Sequence, residues 1–143
     1  MYKGTCLCGT IKFKIIGQIE DIIYCHCSEC RKAQGSAFAT NANIAVSDFV
    51  FLSGEQNLTR YQVNKDQSKF FCTTCGSPIM SKKKSKPNQI RIRLGTIQDD
   101  IKERPMAHIF TQSKANWETI CGHLPQYKTH KPIEKIGAKQ LKL

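Results

Sequence analysis

Seven of the eight cysteines in this 143-residue chain fall into three short groups. The sequence reads C-L-C-G at residues 6–9, C-H-C-S-E-C at 25–30 and C-T-T-C-G at 72–76. Thiolates at such spacings can converge on one metal ion, and zinc favours tetrahedral coordination by sulfur. The remaining cysteine, Cys121, has no ligand motif around it, and we expect a small buried side chain there.

The first and third groups together can supply a complete four-thiolate site. A tight C-x2-C-G turn aims Cys72 and Cys75 at one point, and its glycine accommodates the backbone that curls around a metal. Cys6 and Cys8 can add two ligands from a neighbouring strand. A site closed by four protein ligands is structural, so we expect it to tie the N-terminal segment to the middle of the chain.

The second group offers three sulfurs within six residues. A strand end with Cys25 and Cys27, followed by a helical turn with Cys30, can place all three on one ion. Three protein ligands leave one position for water or substrate, which is typical of catalytic zinc. Two alternatives stay open: His26 or Cys121 completes a structural site, or the thiols are free. For His26 we favour a side chain that points away from the metal.

Composition favours metal ligation over disulfides. The chain does not begin with a charged segment and an apolar stretch, so we expect no signal peptide, and no apolar run approaches the ~20 residues that span a bilayer. We therefore expect a cytoplasmic, reducing setting. Bridging within a C-x-C pair would also strain disulfide geometry.

The formal charge of +11 can attract nucleic acid, anionic membranes or small acidic substrates, although solubility alone accounts for it.

Short segments of alternating or β-favouring residues predict a mostly β domain. The strand candidates are residues 11–15, 37–45, 49–52, 58–63 and 90–94. A short helix is expected over residues 28–32, and another turn or two over residues 113–120 with Ser113 as its cap. Residues 82–88 are rich in lysine, and we expect an exposed loop there.

The cysteine groups and their surroundings resemble the family of glutathione-dependent formaldehyde-activating enzymes, whose domain is shared with centromere protein V. The resemblance runs from residue 4 to about residue 127. Its matching pieces are G-T-C-L-C-G-T-I at 4–11, C-H-C-S-E-C-R-K at 25–32, G-S-A-F at 35–38, F-C-T-T-C-G-S-P-I at 71–79, H-I-F at 108–110, S-K-A-N-W at 113–117 and L-P-Q-Y at 124–127.

The resemblance implies a mainly β, Mss4-like β-tent fold with few short helices. It implies a structural zinc on Cys6, Cys8, Cys72 and Cys75, and a second zinc on Cys25, Cys27 and Cys30. Two zinc ions per chain are therefore expected, with the second site open to partial occupancy. We expect a zinc-binding domain at residues 1–131 and a basic, mobile tail at residues 132–143.

The resemblance also implies an activity, the condensation of formaldehyde with glutathione to S-hydroxymethylglutathione, formally a carbon–sulfur lyase reaction. We favour positioning of an incoming thiol over carbonyl activation, because zinc bound by three thiolates is a weak Lewis acid. The expected substrate-binding residues are Arg31, Gly35, Ser36, Phe38, Lys114 and Trp117.

Some of these residues have alternative structural interpretations. Arg31 and Lys114 suit the carboxylates of glutathione, but Arg31 can equally be a solvated surface charge. Phe38 and Trp117 can line a pocket, but each can equally belong to the core. A second hypothesis for the whole chain is a non-catalytic zinc-binding module whose basic surface binds nucleic acid or an acidic partner.

Overall fold

Ten short β-strands and one α-helix are found in residues 1–132, the part of the chain that the structure, a computed structural model, describes. The elements in chain order are β1 (Tyr2–Thr5), β2 (Lys12–Ile15), β3 (Glu20–Cys25), α1 (Ser28–Gln34), β4 (Ala39–Ala45), β5 (Phe49–Ser53), β6 (Leu58–Gln62), β7 (Gln67–Cys72), β8 (Pro78–Lys83), β9 (Gln89–Arg93) and β10 (Ala107–Ile109). Short 3₁₀ turns connect several of them. The mainly β fold expected from the sequence is confirmed.

The strands form two sheets. A three-stranded sheet has the order β1-β2-β5, and a seven-stranded sheet has the order β10-β3-β4-β9-β8-β7-β6. Neighbouring strands are antiparallel except for β10, which runs parallel to β3. The first cysteine group follows β1 in one sheet, and the third group begins at the end of β7 in the other.

The larger hydrophobic core contains side chains from both sheets. Phe13 and Ile15 of β2 are fully buried in it together with Ala42, Ile44 and Ile92 of the larger sheet. Burial of each large apolar side chain contributes about 1.5–3 kcal/mol. Cys6 and Cys72 are also buried in this core, so the four-cysteine group lies beside the packing between the sheets.

The opposite face of the larger sheet carries a second, smaller cluster. Cys25 pairs with Ala39, and Asn41 pairs with Arg93. Directly opposed residues, and residues two apart on one strand, share a face of a sheet. Cys25, Ala39, Asn41 and Arg93 therefore lie on the same face, where Cys25 and Ala39 pack against Cys30 of α1.

Most of the predicted elements are confirmed, with ends that shift by one or two residues. Helix α1 begins at Ser28 as predicted and ends at Gln34. The expected loop at residues 82–88 is partly wrong, because Lys82 pairs with strands on both sides and belongs to β8. The expected helical turn beginning at Ser113 is wrong: a 3₁₀ turn, Thr111–Ser113, ends there. Residues 114–120 form no helix and so offer no apolar helical face.

Two further expectations concern the C-terminal tail and membrane-spanning segments. The basic tail predicted at residues 132–143 lies, from residue 133 onwards, outside the described residues. Within residues 1–132, no helix has the length and apolar character needed to cross a bilayer.

Candidate metal centres

The thiols of the first and third cysteine groups converge on one point. Their four Sγ atoms all lie within 4.8 Å of one another. Cys8 Sγ lies 3.5 Å from Cys6 Sγ and 3.8 Å from Cys72 Sγ. Four sulfurs at about 2.3 Å from a tetrahedral zinc ion would lie about 3.8 Å apart. The spacing of Cys6, Cys8, Cys72 and Cys75 therefore fits a metal ion held by four thiolates.

Two tight turns shape this four-cysteine group. The Gly9 N–H donates to the Cys6 carbonyl at 3.1 Å, and the Gly76 N–H donates to the Cys72 carbonyl at 2.8 Å. Both glycines have positive φ angles, 77° and 74°, a region that residues with a Cβ rarely adopt. The C-G steps in the sequence thus reverse the chain and bring each pair of thiols together.

Polar groups contact the sulfurs of the four-cysteine group. The Ile11 N–H donates to Cys6 Sγ at 3.3 Å, and Asn57 Nδ2 donates to Cys72 Sγ at 3.3 Å. The Ser77 hydroxyl lies 3.2 Å from Cys75 Sγ, and this hydrogen bond lowers the pKa of Cys75 to about 5. Burial raises the pKa of Cys72. A bound cation would offset that penalty, because metal binding requires and stabilises thiolates.

The second cysteine group is built where β3 meets α1. Cys25 is the last residue of β3, Cys27 caps α1, and Cys30 lies in the first turn of that helix. The Cys30 N–H donates to Cys27 Sγ at 3.3 Å, which fixes Cys27 at the helix start. The three Sγ atoms lie within 4.8 Å of one another. The arrangement predicted from the spacing, a strand end running into a helical turn, is thus confirmed in its main features.

The thiols of the second group shift one another's pKa values in opposite directions. Hydrogen bonds with Cys25 and Cys30 lower the pKa of Cys27, and the nearby Lys69 adds to this effect. Hydrogen bonds with Cys27 and Cys30, together with burial, raise the pKa of Cys25. One thiolate is therefore stabilised at the expense of its neighbours, and a divalent cation would allow all three to lose their protons. The donor set fits a metal such as zinc.

No fourth protein ligand completes this three-cysteine group within residues 1–132. His26 is fully buried, and its Nε2 lies 2.8 Å from Nδ1 of His108 instead. Its ring packs on Phe38 with a centroid distance of 5.0 Å. Burial, with the charges of His108, Lys114 and Arg31, lowers the pKa of His26 to about 4, so its ring is neutral at pH 7. As expected, His26 is not a member of the three-cysteine group.

A cavity of about 310 Å³ opens beside the C-terminal end of α1. It is lined by residues of α1, of the turn that follows it, and of the ends of β4, β8 and β9: Gln34, Ser36, Phe38, Thr40, Ser77, Pro78, Arg93, Gly95 and Thr96. Because α1 also carries Cys30, the cavity and the three-cysteine group are held by the same short helix.

A sequence profile of the glutathione-dependent formaldehyde-activating enzyme family matches residues 1–113. The chain belongs to this family. The matched segment contains both cysteine sets, α1 and all ten strands. Formaldehyde activation that depends on glutathione is therefore the activity that family membership suggests.

Comparison with solved structures gives a similar result for the fold. A crystal structure of a Rhodobacter sphaeroides protein, a structural genomics target, superposes with a TM-score of 0.56 and 30% sequence identity. The match covers 70% of this chain and 91% of that protein. No curated protein matches the chain.

The structure places the predicted substrate-binding residues unevenly around the three-cysteine group. Ser36 and Phe38 line the cavity, while Gly35 ends α1 next to them. Arg31 lies on α1 and is half-buried rather than fully solvated. Lys114 is half-buried, and its Nζ donates to the carbonyls of Ala115 and Glu118. The positive charge of Lys114 lowers the pKa of His26, so Lys114 lies close enough to His26 to affect its protonation.

Two expectations about the segment after β10 are wrong. Cys121 is exposed, not buried, and it joins neither cysteine cluster. The core alternative for Trp117 fails as well, because 68% of its side chain is exposed. The physical reason is shared: this segment lacks a strand or helix that would turn one side toward the core.

Sequence reasoning missed Arg93 and Lys69. Arg93 is only 4% exposed, and Lys69 is half-buried. Cys30, Cys25 and Cys27 act electrostatically on Arg93, and Lys69 acts on Cys27. The sequence offered only a misleading signal for Arg93. It belongs to the polar side of the alternating stretch at residues 90–94, and that side of a strand ordinarily faces solvent. Only the tertiary structure reveals that Arg93 is buried and lines cavities together with Ala33 and Gln34 of α1.

Proposed function

We propose that this chain is a zinc-dependent enzyme of the carbon–sulfur lyase type, acting on a small thiol and an aldehyde. The reaction that fits best joins glutathione and formaldehyde to S-hydroxymethylglutathione. The observation that carries the proposal is a three-cysteine group with no fourth protein ligand within residues 1–132, in a member of this family, on a helix that also lines an open cavity.

Each cysteine set has its own role in this proposal. Cys25, Cys27 and Cys30 hold the catalytic zinc, while Cys6, Cys8, Cys72 and Cys75 hold a structural zinc, which gives two ions per chain. A zinc ion with an open position lowers the pKa of an incoming thiol and presents it as a thiolate. Because all seven ligands must stay reduced, we propose that the protein works in a reducing compartment such as the cytoplasm.

The protein's own residues position the reactants. Ser36 and Phe38 line the cavity in which the thiol compound lies, and Phe38 is held by packing on Tyr24 and His26. The thiol sulfur forms a bond to the formaldehyde carbon. The C=O double bond becomes a single bond, and the proton lost by the thiol ends on that oxygen as a hydroxyl. Nothing is oxidised or released, so the cavity needs to hold only two reactants and one product.

The experiment is adduct formation followed by ¹H and ¹³C NMR. The zinc-loaded chain is mixed with ¹³C-formaldehyde and glutathione, and the appearance of the S–CH₂–OH carbon is timed against the spontaneous reaction. We expect an acceleration that grows in proportion to protein concentration. A rate equal to the spontaneous one, with both metal sites loaded, would rule out the glutathione reaction.

The non-catalytic alternative has one observation in its favour. A groove of about 590 Å³ is lined by the basic residues Lys83, Lys86, Arg91, His130 and Lys131, with Asp21 as its acidic member. Such a surface attracts polyanions through counterion release. Filter binding of single- and double-stranded DNA across a salt titration tests it, and the absence of salt-sensitive binding at low ionic strength would remove it.

A further inference from the structure

Five buried polar side-chain atoms near the three-cysteine group lack a hydrogen-bond partner among the described residues. They are His26 Nδ1, Arg31 Nε, Gln34 Nε2, Lys69 Nζ and Arg93 Nε. Three of these residues belong to α1 or to the turn that precedes it, and the other two interact electrostatically with the thiols. A buried polar group without a partner is costly, and such groups normally have a hydrogen-bond partner. Their accumulation at one site indicates a ligand that supplies acceptors.

Arg93 is the most unusual of the five. Its guanidinium carries five N–H donors, yet the structure gives it a single side-chain hydrogen bond, from an Nη1 atom to the neutral amide of Asn41. Asn41 itself is 2% exposed. No carboxylate of residues 1–132 accepts a hydrogen bond from Arg93. Burial lowers the pKa of Arg93, and the thiols of Cys30, Cys25 and Cys27 oppose that effect only in part.

The metal-loaded cysteines do not neutralise all of the positive charge. Three thiolates and one divalent cation carry a net charge of −1. Arg93 and Lys69 together carry +2, so one positive charge is left over even if both act as counter-charges. Among residues 1–132, no acidic residue lines the 310 Å³ cavity or the neighbouring cavity of about 180 Å³, although Arg93 lines both. The site is therefore short of one negative charge.

Two of the residues that carry unpartnered donor atoms line the same cavity. Arg93 and Gln34 both line the 310 Å³ cavity, from β9 and from the end of α1. Thr40, Ser36 and Thr96 add hydroxyl groups to its wall. A carboxylate has two oxygens and about four acceptor sites, which suits a guanidinium on one side and a side-chain amide on the other.

We propose that this cavity is a carboxylate-binding subsite in which Arg93 and Gln34 clamp a carboxylate of the thiol substrate. The inference rests on the proposed function, since it assigns the carboxylate to the molecule whose thiol reaches the three-cysteine group. It makes Arg93 a specificity-determining residue that separates acidic thiols from neutral ones. Lys69, which lines the neighbouring cavity together with Arg93, then supplies the positive charge that balances the metal-loaded cysteines.

The test uses a matched pair of small thiols and the zinc-loaded full chain. 3-Mercaptopropionate carries a carboxylate, whereas 2-mercaptoethanol carries a hydroxyl in its place. Each is titrated into ¹⁵N-labelled protein while the arginine Nε–H signals are followed, with Arg93→Gln used to assign the Arg93 signal. We expect a saturable shift of the Arg93 signal with 3-mercaptopropionate and no such shift with 2-mercaptoethanol. The absence of a shift with the carboxylate compound would overturn the proposal.

Substitutions then measure the contribution of each clamp residue. We expect Arg93→Gln to weaken 3-mercaptopropionate binding about ten- to a hundredfold, as for a lost hydrogen bond to a charged group, with 2-mercaptoethanol unchanged. Gln34→Glu keeps the size of a half-buried side chain and adds a repelling charge, so it should weaken the same ligand without threatening the fold. Arg91→Gln is the control, because Arg91 shares the face of β9 but does not line this cavity.

The outcomes separate this inference from the proposed reaction. Equal binding of 3-mercaptopropionate to Arg93→Gln, with zinc lost from the chain, would mean that Arg93 is only a counter-charge for the thiolates and would overturn the proposal. Unchanged binding in Gln34→Glu and Arg93→Gln together would overturn it as well. If the Arg93 shift occurs but glutathione and formaldehyde react no faster than without protein, the reaction fails and the carboxylate subsite stands.

Discussion

The two cysteine sets use the same ligand atom in different settings. The four-cysteine group joins two distant parts of the chain, lies beside the core shared by both sheets, and has backbone or side-chain donors on its sulfurs. The three-cysteine group comes from six consecutive residues at one strand–helix junction. It includes the cap and first turn of a short helix that also lines a cavity and carries unpartnered donors. Four protein ligands in the first set suit a structural metal site, whereas three protein ligands in the second set suit a catalytic one.

The difference also concerns what each set holds together. Removal of a metal from the four-cysteine group would release the segment after β1 from the end of β7, which are held together across 64 residues of sequence between Cys8 and Cys72. Removal of a metal from the three-cysteine group would disturb only a local turn. The predictions below test this contrast, beginning with the largest expected effect.

Cys72→Ser should abolish the cooperative fold. Cys72 is fully buried and its Sγ accepts a hydrogen bond from Asn57. A structural zinc in a small domain contributes on the order of 10 kcal/mol, which exceeds the stability of many domains. We expect loss of the thermal unfolding transition in circular dichroism and an expanded state in size-exclusion chromatography. A cooperative transition close to that of wild type would contradict a structural role for this set.

Cys27→Ser should remove activity and spare the fold. Cys27 is only half-buried, and a serine can still cap α1. We expect the rate of adduct formation to fall to the spontaneous rate while the free energy of unfolding changes by about 1 kcal/mol or less. Metal analysis should find about one zinc fewer per chain. Retained activity at wild-type zinc content would show that the three-cysteine group is not the reaction site.

A chelator titration should empty the two sets in order. Three ligands hold a metal less firmly than four, and no further protein ligand within residues 1–132 completes the three-cysteine group. With a coloured zinc chelator we expect the first equivalent to leave quickly and with little change in the circular dichroism spectrum. The second should leave slowly and together with the loss of folded signal. Simultaneous release of both equivalents would mean that the sets are coupled.

His108→Phe should destabilise the fold by an intermediate amount. The substitution removes the partner of His26 Nε2, which then has no acceptor or donor in a fully buried position. Leaving a buried polar atom unpaired costs about 1–3 kcal/mol, and urea denaturation measures it. His123→Phe is the matched control, because His123 is exposed. Equal stabilities of the two variants would show that the histidine pair contributes nothing measurable.

Cys121→Ser should have the smallest effect. Cys121 is exposed and lies outside both clusters. We expect unchanged zinc content, unchanged activity and a change in unfolding free energy of no more than about 0.5 kcal/mol. Loss of one zinc equivalent in this variant would reinstate Cys121 as the ligand that completes the three-cysteine group.

Elements with a local signal were predictable. The helix at Ser28 follows from the cysteine spacing, and the strand at β2 follows from the alternation of Phe13 and Ile15 with lysines. Residues 113–120 were not predictable in this way. Ser113 resembles a helix cap, but the segment that follows has no apolar stripe to bury, so no helix forms after it.

The sequence by itself determined the two cysteine sets, because thiol spacing, and for the four-cysteine group the following glycines, are local properties of the chain. Tertiary structure alone decided what surrounds them. Arg93 lies on the polar side of an alternating strand, where exposure is the default, yet it is buried, donates a hydrogen bond to Asn41 of β4 and lines cavities together with Ala33 and Gln34 of α1. The burial of a charge depends on what packs around it, and Arg93 and Asn41 are 52 positions apart in the sequence, beyond the reach of any local pattern.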